Sequence, residues 1–409
     1  MSLEKRWIRM ILPFAVFAAM AFFIPFTVSV NAAPDISAQI AVVMDFHTGE
    51  ILYERNMERR HVPASTTKSM TAFITYQEME AGNLSFDTRI RVSSGAAAFS
   101  SDRRQQGSFV PLPAGEYITV EVLLQLLLLP SANAAAVVLA EHISGTEAAF
   151  VERMNEVAAE LGMYSSFTNS HGALPHHTNA YSMAVLVREF ISRYPDILRI
   201  TAMTHMSFNG TRYNNTNFLL TTVPFAGTDG FKTGTLRQAG WNHSVTAERD
   251  GRRIIAVVMN APDNTARHAD ARTLLQYGFD ELIRRETERA ERVRIFWDGS
   301  LFPLDAAPII RYGTIHLPIR AVFERLGYRV EWHRDFGLAR VSHASGSDIT
   351  FFVGRNLAIV NGQAYTAGTP AQIIDGRIFV TMEFIAHATG TTVTWDMDTG
   401  VIMFSGGGG

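Results

Sequence analysis

The chain reads as an α+β fold followed by a small duplicated α+β module. Three observations carry that reading. At 409 residues it is too long for one ordinary core, so two or three domains are expected. Stretches with the period of strands are interspersed with stretches that have the spacing and length of helices. Beyond residue 292 a pattern recurs at an offset of 63 residues.

Residues 40–53 predict strand, turn, strand: Ala41-Val42-Val43-Met44 is apolar, Thr48-Gly49 turns, and Ile51-Leu52-Tyr53 resumes. Pro63-Ala64-Ser65 opens a helix to about residue 80, with Met70, Phe73, Ile74 and Tyr76 as its apolar positions and Gly82-Asn83 as its stop. Residues 85–115 are polar and turn-rich, with short strand-like pieces. The strongly apolar run 120–129 reads as a buried helix ended by Pro130. Further helices are expected over 134–143 and 145–161. Residues 230–261 return to strand period, with Asp250-Gly251 as a hairpin turn. A helix over 267–285 follows, continued by the charged run 286–294 as a solvated exit. In the repeat, Leu317-Pro318-Ile319-Arg320 aligns with Val380-Thr381-Met382-Glu383, Gly313 with Gly376, and Trp332 with Trp395. Each copy reads as strand, turn, short helix, strand, turn, strand. Such duplicated units usually make a binding or spacer module, and this one carries no catalytic constellation.

Composition narrows the function. With 47% hydrophobic and 18% charged residues the chain is ordinary for a globular protein, and a net charge of −3 gives no reason to invoke nucleic acid. The lack of cysteine excludes disulfides, thiolate metal sites and a cysteine nucleophile. Lys5, Arg6 and Arg9 precede an apolar run over 10–30, and Val30-Asn31-Ala32 offers small residues for cleavage after Ala32. A secretory leader over 1–32 is expected, with work outside the cytoplasmic membrane. An uncleaved anchor is the other reading, because the run is about long enough to span a bilayer.

Three short motifs stand in order: Ser65-Thr66-Thr67-Lys68, Ser131-Ala132-Asn133 and Lys232-Thr233-Gly234. Together they supply a nucleophile, its base, a polar relay and an electropositive clamp for a carboxylate. Ser65 and Lys68, three apart at a helix start, share one face. A lysine that is desolvated and near a second cation, here Lys232, loses affinity for its proton and can serve as the base. The helix start aims backbone N–H groups at a developing oxyanion. After the proline break, the Ser131 hydroxyl can relay a proton to the leaving group, and the Asn133 amide can hold a peptide carbonyl or orient Lys68. Lys232 and Thr233 on an edge strand can bind a carboxylate. Gly234 would let the substrate backbone approach, and the Thr235 N–H would complete the oxyanion hole.

Singly these matches are weak. Ser2-Leu3-Glu4-Lys5 also fits the first pattern, Ser65 could be a helix cap, and Lys68 a surface lysine. Order, spacing and context select the set. His171-Gly172 with His176 and His177 fits no standard zinc spacing and reads as loop-ordering; no metal or other cofactor is called for.

These residues resemble the low-molecular-mass penicillin-binding D-alanyl-D-alanine carboxypeptidases, the S11 serine peptidases. The likeness covers roughly residues 36–282, including Met44-Asp45-Phe46-His47-Thr48-Gly49, Leu127-Leu128-Leu129-Pro130 ahead of the second motif, and Thr228-Asp229-Gly230-Phe231 ahead of the third. It implies a five-stranded antiparallel sheet flanked by helices, with an all-helical subdomain carrying the second motif, in the β-lactamase/transpeptidase-like manner. It implies a serine peptidase domain over 35–288 acting on peptidoglycan stem peptides ending in D-Ala-D-Ala. Ser65 would be acylated, also by β-lactams. Arg267 stands where the family has an arginine and is a further candidate for carboxylate contact. Ala132, Ala134, Ser170, Ala173 and Ser182 depart from the common pattern and bear on the cleft wall. The repeat over 292–405 is similar to the copper amine oxidase N-terminal-like (stalk) module of Gram-positive surface proteins, which implies a Gram-positive source and contact with the wall; no copper ligand set is visible.

Two other functions stay open from sequence. A class A-like β-lactamase would need a glutamate in an E-x-x-L-N segment, and none lies between the second and third motifs. A non-catalytic wall-binding protein led by the repeat is the other.

Overall fold

Five strands form an antiparallel sheet in the spatial order Ile51–Arg55, Ile40–Asp45, Arg252–Ala261, Gly240–Arg249, Thr228–Leu236. The computed structural model that shows this describes residues 32–101, 108–173, 175–304 and 306–406. All of the expected leader but Ala32 lies outside the described residues. Period-two alternation builds the sheet's two faces. Ile40, Val42 and Met44 join Ile255, Val257 and Met259 in one apolar cluster, whereas Ala41 and Val43 join Ile254, Ala256 and Val258 in another. Both faces are therefore covered by helices. Ala180–Arg193 packs on the first face and Asn264–Arg292 on the second. This order leaves Thr228–Leu236, the bearer of the third motif, at the sheet edge.

A helical subdomain stands beside that edge. Val120–Leu128 is started by Thr119, whose hydroxyl accepts from the Val122 N–H at 3.3 Å, and it stops before Pro130. Asn133–Ser144 and Glu147–Glu160 follow. Between Leu128 and Asn133, Ser131 takes a left-handed backbone (φ 67°). In a non-glycine residue this costs on the order of 1–3 kcal/mol, and such strain concentrates at functional sites.

The structure departs from the expectations in four places. The helix expected from Ser65 begins as a 3-10 turn, Ala64–Thr67, and becomes α-helical only at Lys68–Glu80. The cause is the Pro63 carbonyl, which takes the Thr66 N–H at 3.4 Å and the Thr66 hydroxyl at 2.8 Å, closing an i to i+3 turn. Ser94–Ser101 is a helix within the stretch read as polar with strand-like pieces. Ala180–Arg193 is a buried helix with no counterpart in the sequence reading, capped by Asn179 through the Ser182 N–H. Finally, the exit helix runs unbroken from Asn264 to Arg292, beginning three residues before the expected start at 267. Its charged end is not simply solvated. Glu286 is buried, 2.6 Å from Arg252 and 3.8 Å from Arg311 of the C-terminal module. Burial nevertheless dominates, pushing its carboxyl up to about 7 against the pull of Arg252.

The C-terminal module has its own apolar cluster, from Val293 to Phe404. Its repeats meet across a central strand pair in which Leu317 faces Val380, positions 63 apart, so an approximate two-fold axis passes there. Each copy contributes a hairpin, a short helix (Ile319–Arg325, Met382–Thr389) and a second hairpin.

Gly278 sets how closely the exit helix approaches the sheet. A Cβ there would sit 2.7 Å from Ile254 and 2.8 Å from Val43. Gly278→Val is therefore expected to lower the unfolding free energy by about 1–3 kcal/mol, read from urea denaturation. An unchanged midpoint would mean that this contact is not tight.

Candidate active site

The Lys68 amine lies at the meeting point of three segments. Lys68 is fully buried, and its Nζ is within hydrogen-bond distance of Ser65 Oγ (2.9 Å), Asn133 Oδ1 (2.7 Å) and the His171 carbonyl (2.9 Å). In the 3-10 turn, residues three apart eclipse, which stacks Ser65 directly over Lys68. Burial first, and then the charge of Lys232, hold the Lys68 amine well below the usual lysine range. A neutral amine has two N–H donors and one lone pair. The two carbonyl-type oxygens accept the donors, which turns the lone pair toward the Ser65 hydroxyl.

Lys232 is 1% exposed and donates to its neighbour's carbonyl, Thr233 O, at 3.0 Å. Burial and then the Arg267 guanidinium bring its amine down to about 7. The Thr233 hydroxyl donates to Thr216 Oγ1 at 2.7 Å, and Thr216 in turn donates to Leu129 O, at the end of the helix before Ser131. Thr216 thus ties the third motif to the second. Ser131 Oγ is buried and has no hydrogen-bond partner among the described residues, as befits a hydroxyl reserved for a ligand. Asn133, expected in a loop, is the first residue of its helix.

Two glycines are demanded by close approach. A Cβ on Gly234 would fall 2.8 Å from Pro63 O and 3.1 Å from Ser65 N, so no side chain fits between the edge strand and the nucleophile turn. A Cβ on Gly172 would fall 2.0 Å from Ala64 O. Arg267, expected to contact a carboxylate, is buried with Nη1 on Gly234 O (3.2 Å), Thr235 Oγ1 (2.9 Å) and Asn242 O (3.3 Å). In this structure it is a strut behind the edge strand.

Sequence reasoning missed the residues that hold these parts in place. Asn242 donates to Val62 O (2.8 Å) and Pro63 O (3.0 Å) and accepts from Asn260 N, pinning the nucleophile turn to the sheet. Asn169 Oδ1 accepts from three successive N–H groups, those of His171, Gly172 and Ala173. Glu147 accepts from both the N–H and the hydroxyl of Ser170, so the departure from proline there creates two donors that proline lacks. His171 itself stays neutral, because burial and Lys68 bring its imidazole down to about 3. Its 3.9 Å approach to Glu147 is therefore no ion pair. Among the described residues no group of three or more potential ligands could hold a metal ion.

One signal was available and unread. The chain has three lysines: Lys5, Lys68 and Lys232; every other basic side chain except histidine is arginine. Arginine keeps its proton in proteins, whereas a buried lysine amine can lose it, and Lys68 and Lys232 are both buried.

Comparison with known proteins bears on the fold and the family. Solved structures of similar fold define the class as the penicillin-binding, transpeptidase-type fold. Penicillin binding protein 5 from Haemophilus influenzae is 31% identical, with a TM-score of 0.58 over 61% of this chain and 73% of its own. Penicillin-Binding Protein D2 from Listeria monocytogenes, solved in an ampicillin-bound form, is 29% identical, with a TM-score of 0.53 over 61% of this chain and 100% of its own. Residues 27–263 match the D-alanyl-D-alanine carboxypeptidase family model, Peptidase S11, and the chain belongs to that family. Residues 296–404 match the copper amine oxidase N-terminal domain. D-alanyl-D-alanine carboxypeptidase DacF of Bacillus subtilis is 33% identical over 253 residues, covering 60% of this chain and 62% of its own length. DacD of Escherichia coli is 34% identical over 248 residues, covering 60% and 64%. The chain thus spans less than two thirds of either curated relative.

Removing the Asn242 clamp would leave buried carbonyls unpaired. Asn242→Ala is expected to cost about 1–3 kcal/mol in chemical denaturation. It is also expected to speed amide exchange over residues 64–68, whereas unchanged exchange there would remove the clamp from the account.

Proposed function

We propose that this protein is a serine-type D-Ala-D-Ala carboxypeptidase that trims peptidoglycan stem peptides outside the cytoplasmic membrane of a Gram-positive bacterium. The observation that carries the proposal is the fully buried Lys68 amine 2.9 Å from the Ser65 hydroxyl. In the proposed reaction neutral Lys68 takes the Ser65 proton as Oγ bonds to the penultimate D-alanine carbonyl. The peptide bond breaks, and the leaving amine receives a proton through the unpartnered Ser131 hydroxyl. Water then attacks the ester and regenerates Ser65. Lys232 and Thr233 would hold the terminal carboxylate, and the N–H groups of Ser65 and Thr235 would face the oxyanion. A β-lactam would acylate the same serine, leaving an ester that water releases slowly. The C-terminal module would position this peptidase at the wall.

Two measurements test the reading. Purified protein is expected to release D-alanine from a diacyl-Lys-D-Ala-D-Ala peptide and to form a long-lived penicillin adduct that maps to Ser65; Ser65→Ala is expected to lose both. Rapid penicillin turnover would point instead to a β-lactamase. The pH dependence gives a second handle. The base works only when deprotonated, so acylation is expected to rise with pH along a limb set by Lys68. Lys232→Gln removes a neighbouring positive charge, which raises the affinity of Lys68 for its proton and moves that limb to higher pH. A limb that stays in place or moves to lower pH would contradict the pairing of the two amines.

A further inference from the structure

The approximate two-fold axis of the C-terminal module generates two sister grooves, and only one of them is filled. Ile310, Gly313 and Trp395 line the first, together with Leu282, Glu286 and Arg289 of the exit helix and the Asp45–Thr48 turn of the peptidase domain. Sixty-three residues away, Ile373, Gly376 and the equivalent Trp332 line the second, a groove of about 210 Å³ that no other described segment fills. The contrast is visible residue by residue. Ile310 is 6% exposed and Ile373 47%. A Cβ on Gly313 would meet His47 at 2.9 Å, whereas one on Gly376 would meet nothing within 4 Å. The same scaffold that grips a helix on one side presents an empty grip on the other.

The two grooves differ in charge. Where the first hairpin meets the second short helix, Thr314 donates to Glu383 at 3.1 Å. The corresponding positions in the open groove are Arg377 and Arg320, both at its lining. Arg320 has only the exposed Glu324 at 3.1 Å, and Arg377 makes no ion pair among the described residues. Among the described residues, the two arginines and the Trp332 indole are the only polar side chains in the lining, and all are donors. An apolar side chain flanked by carboxylates would be matched on every side.

We propose that the open groove docks an acidic amphipathic helix of a partner protein, seated as the exit helix is seated in the sister groove. An apolar residue would enter over Trp332 and Ile373, and carboxylates one turn along would meet Arg320 and Arg377. The inference rests on the module alone and stands apart from the proposed chemistry.

A probe follows from the sister groove: a fluorescent synthetic peptide of residues 276–292 carrying Arg289→Glu, which presents Leu282, Glu286 and the new carboxylate on one face. Titrated against the whole protein, it is expected to bind saturably and about tenfold tighter than the unaltered peptide. The double variant Arg320→Glu, Arg377→Glu is expected to weaken the acidic peptide about tenfold and reverse the preference, with unchanged unfolding midpoint and penicillin labelling. Absence of saturable binding, equal binding of the two peptides, or indifference to the double variant would overturn the proposal. So would groove-dependent binding of poly(glycerol phosphate) in place of the peptide, which would assign the site to an anionic wall polymer.

Discussion

An amine with no access to water cannot keep its proton at ordinary lysine strength, and the whole catalytic region is arranged around that constraint. Lys68 is boxed in by an asparagine from the second motif, a carbonyl from the His171 loop and the Ser65 hydroxyl. Each of these comes from a different part of the chain, so the site exists only when sheet, helical subdomain and loop are all in place. The supporting bonds make that interdependence physical. Asn242 anchors the nucleophile turn to the sheet, Thr216 joins the edge strand to the end of the Val120–Leu128 helix, and Glu147 holds the His171 loop. Left-handed backbone at Ala64 and Ser131, beside the slot, is the strain this assembly sustains.

The chemistry was more legible in the sequence than its scaffolding. Ser65, Lys68, Asn133 and Lys232 could be read because their residue types are needed for what they do and their motifs carry fixed spacing. The hairpin at Asp250-Gly251 and the stop at Pro130 could be read because those residues have little conformational choice. Ala180–Arg193 escaped because it begins on an asparagine cap inside a stretch whose histidines and glycine drew attention to loops. Asn242, Thr216 and Asn169 escaped because a polar residue that bonds to a distant backbone leaves no local pattern. The buried state of Glu286 could not be seen because its partners, Arg252 and Arg311, lie on elements that only folding brings together.

The duplicated module shows how one repeat pattern can yield two different surfaces. The copies keep their glycines, tryptophans and hairpins, which define the grip. They diverge at equivalent positions such as Glu383 in one copy and Arg320 in the other. One grip was used to fasten the peptidase domain, through the exit helix and the Asp45–Thr48 turn.

The central claim is that Lys68 is a neutral amine at the pH where the protein works. A chain lacking residues 1–32 contains only Lys68 and Lys232, so carbon-13 labelling at lysine Cε should give two resonances, assigned by the loss of one in Lys68→Arg. The account predicts that the Lys68 resonance keeps its neutral-amine position through the range in which free lysine is protonated, titrating far below about 10.4. A Lys68 resonance that titrates near that ordinary value would contradict it.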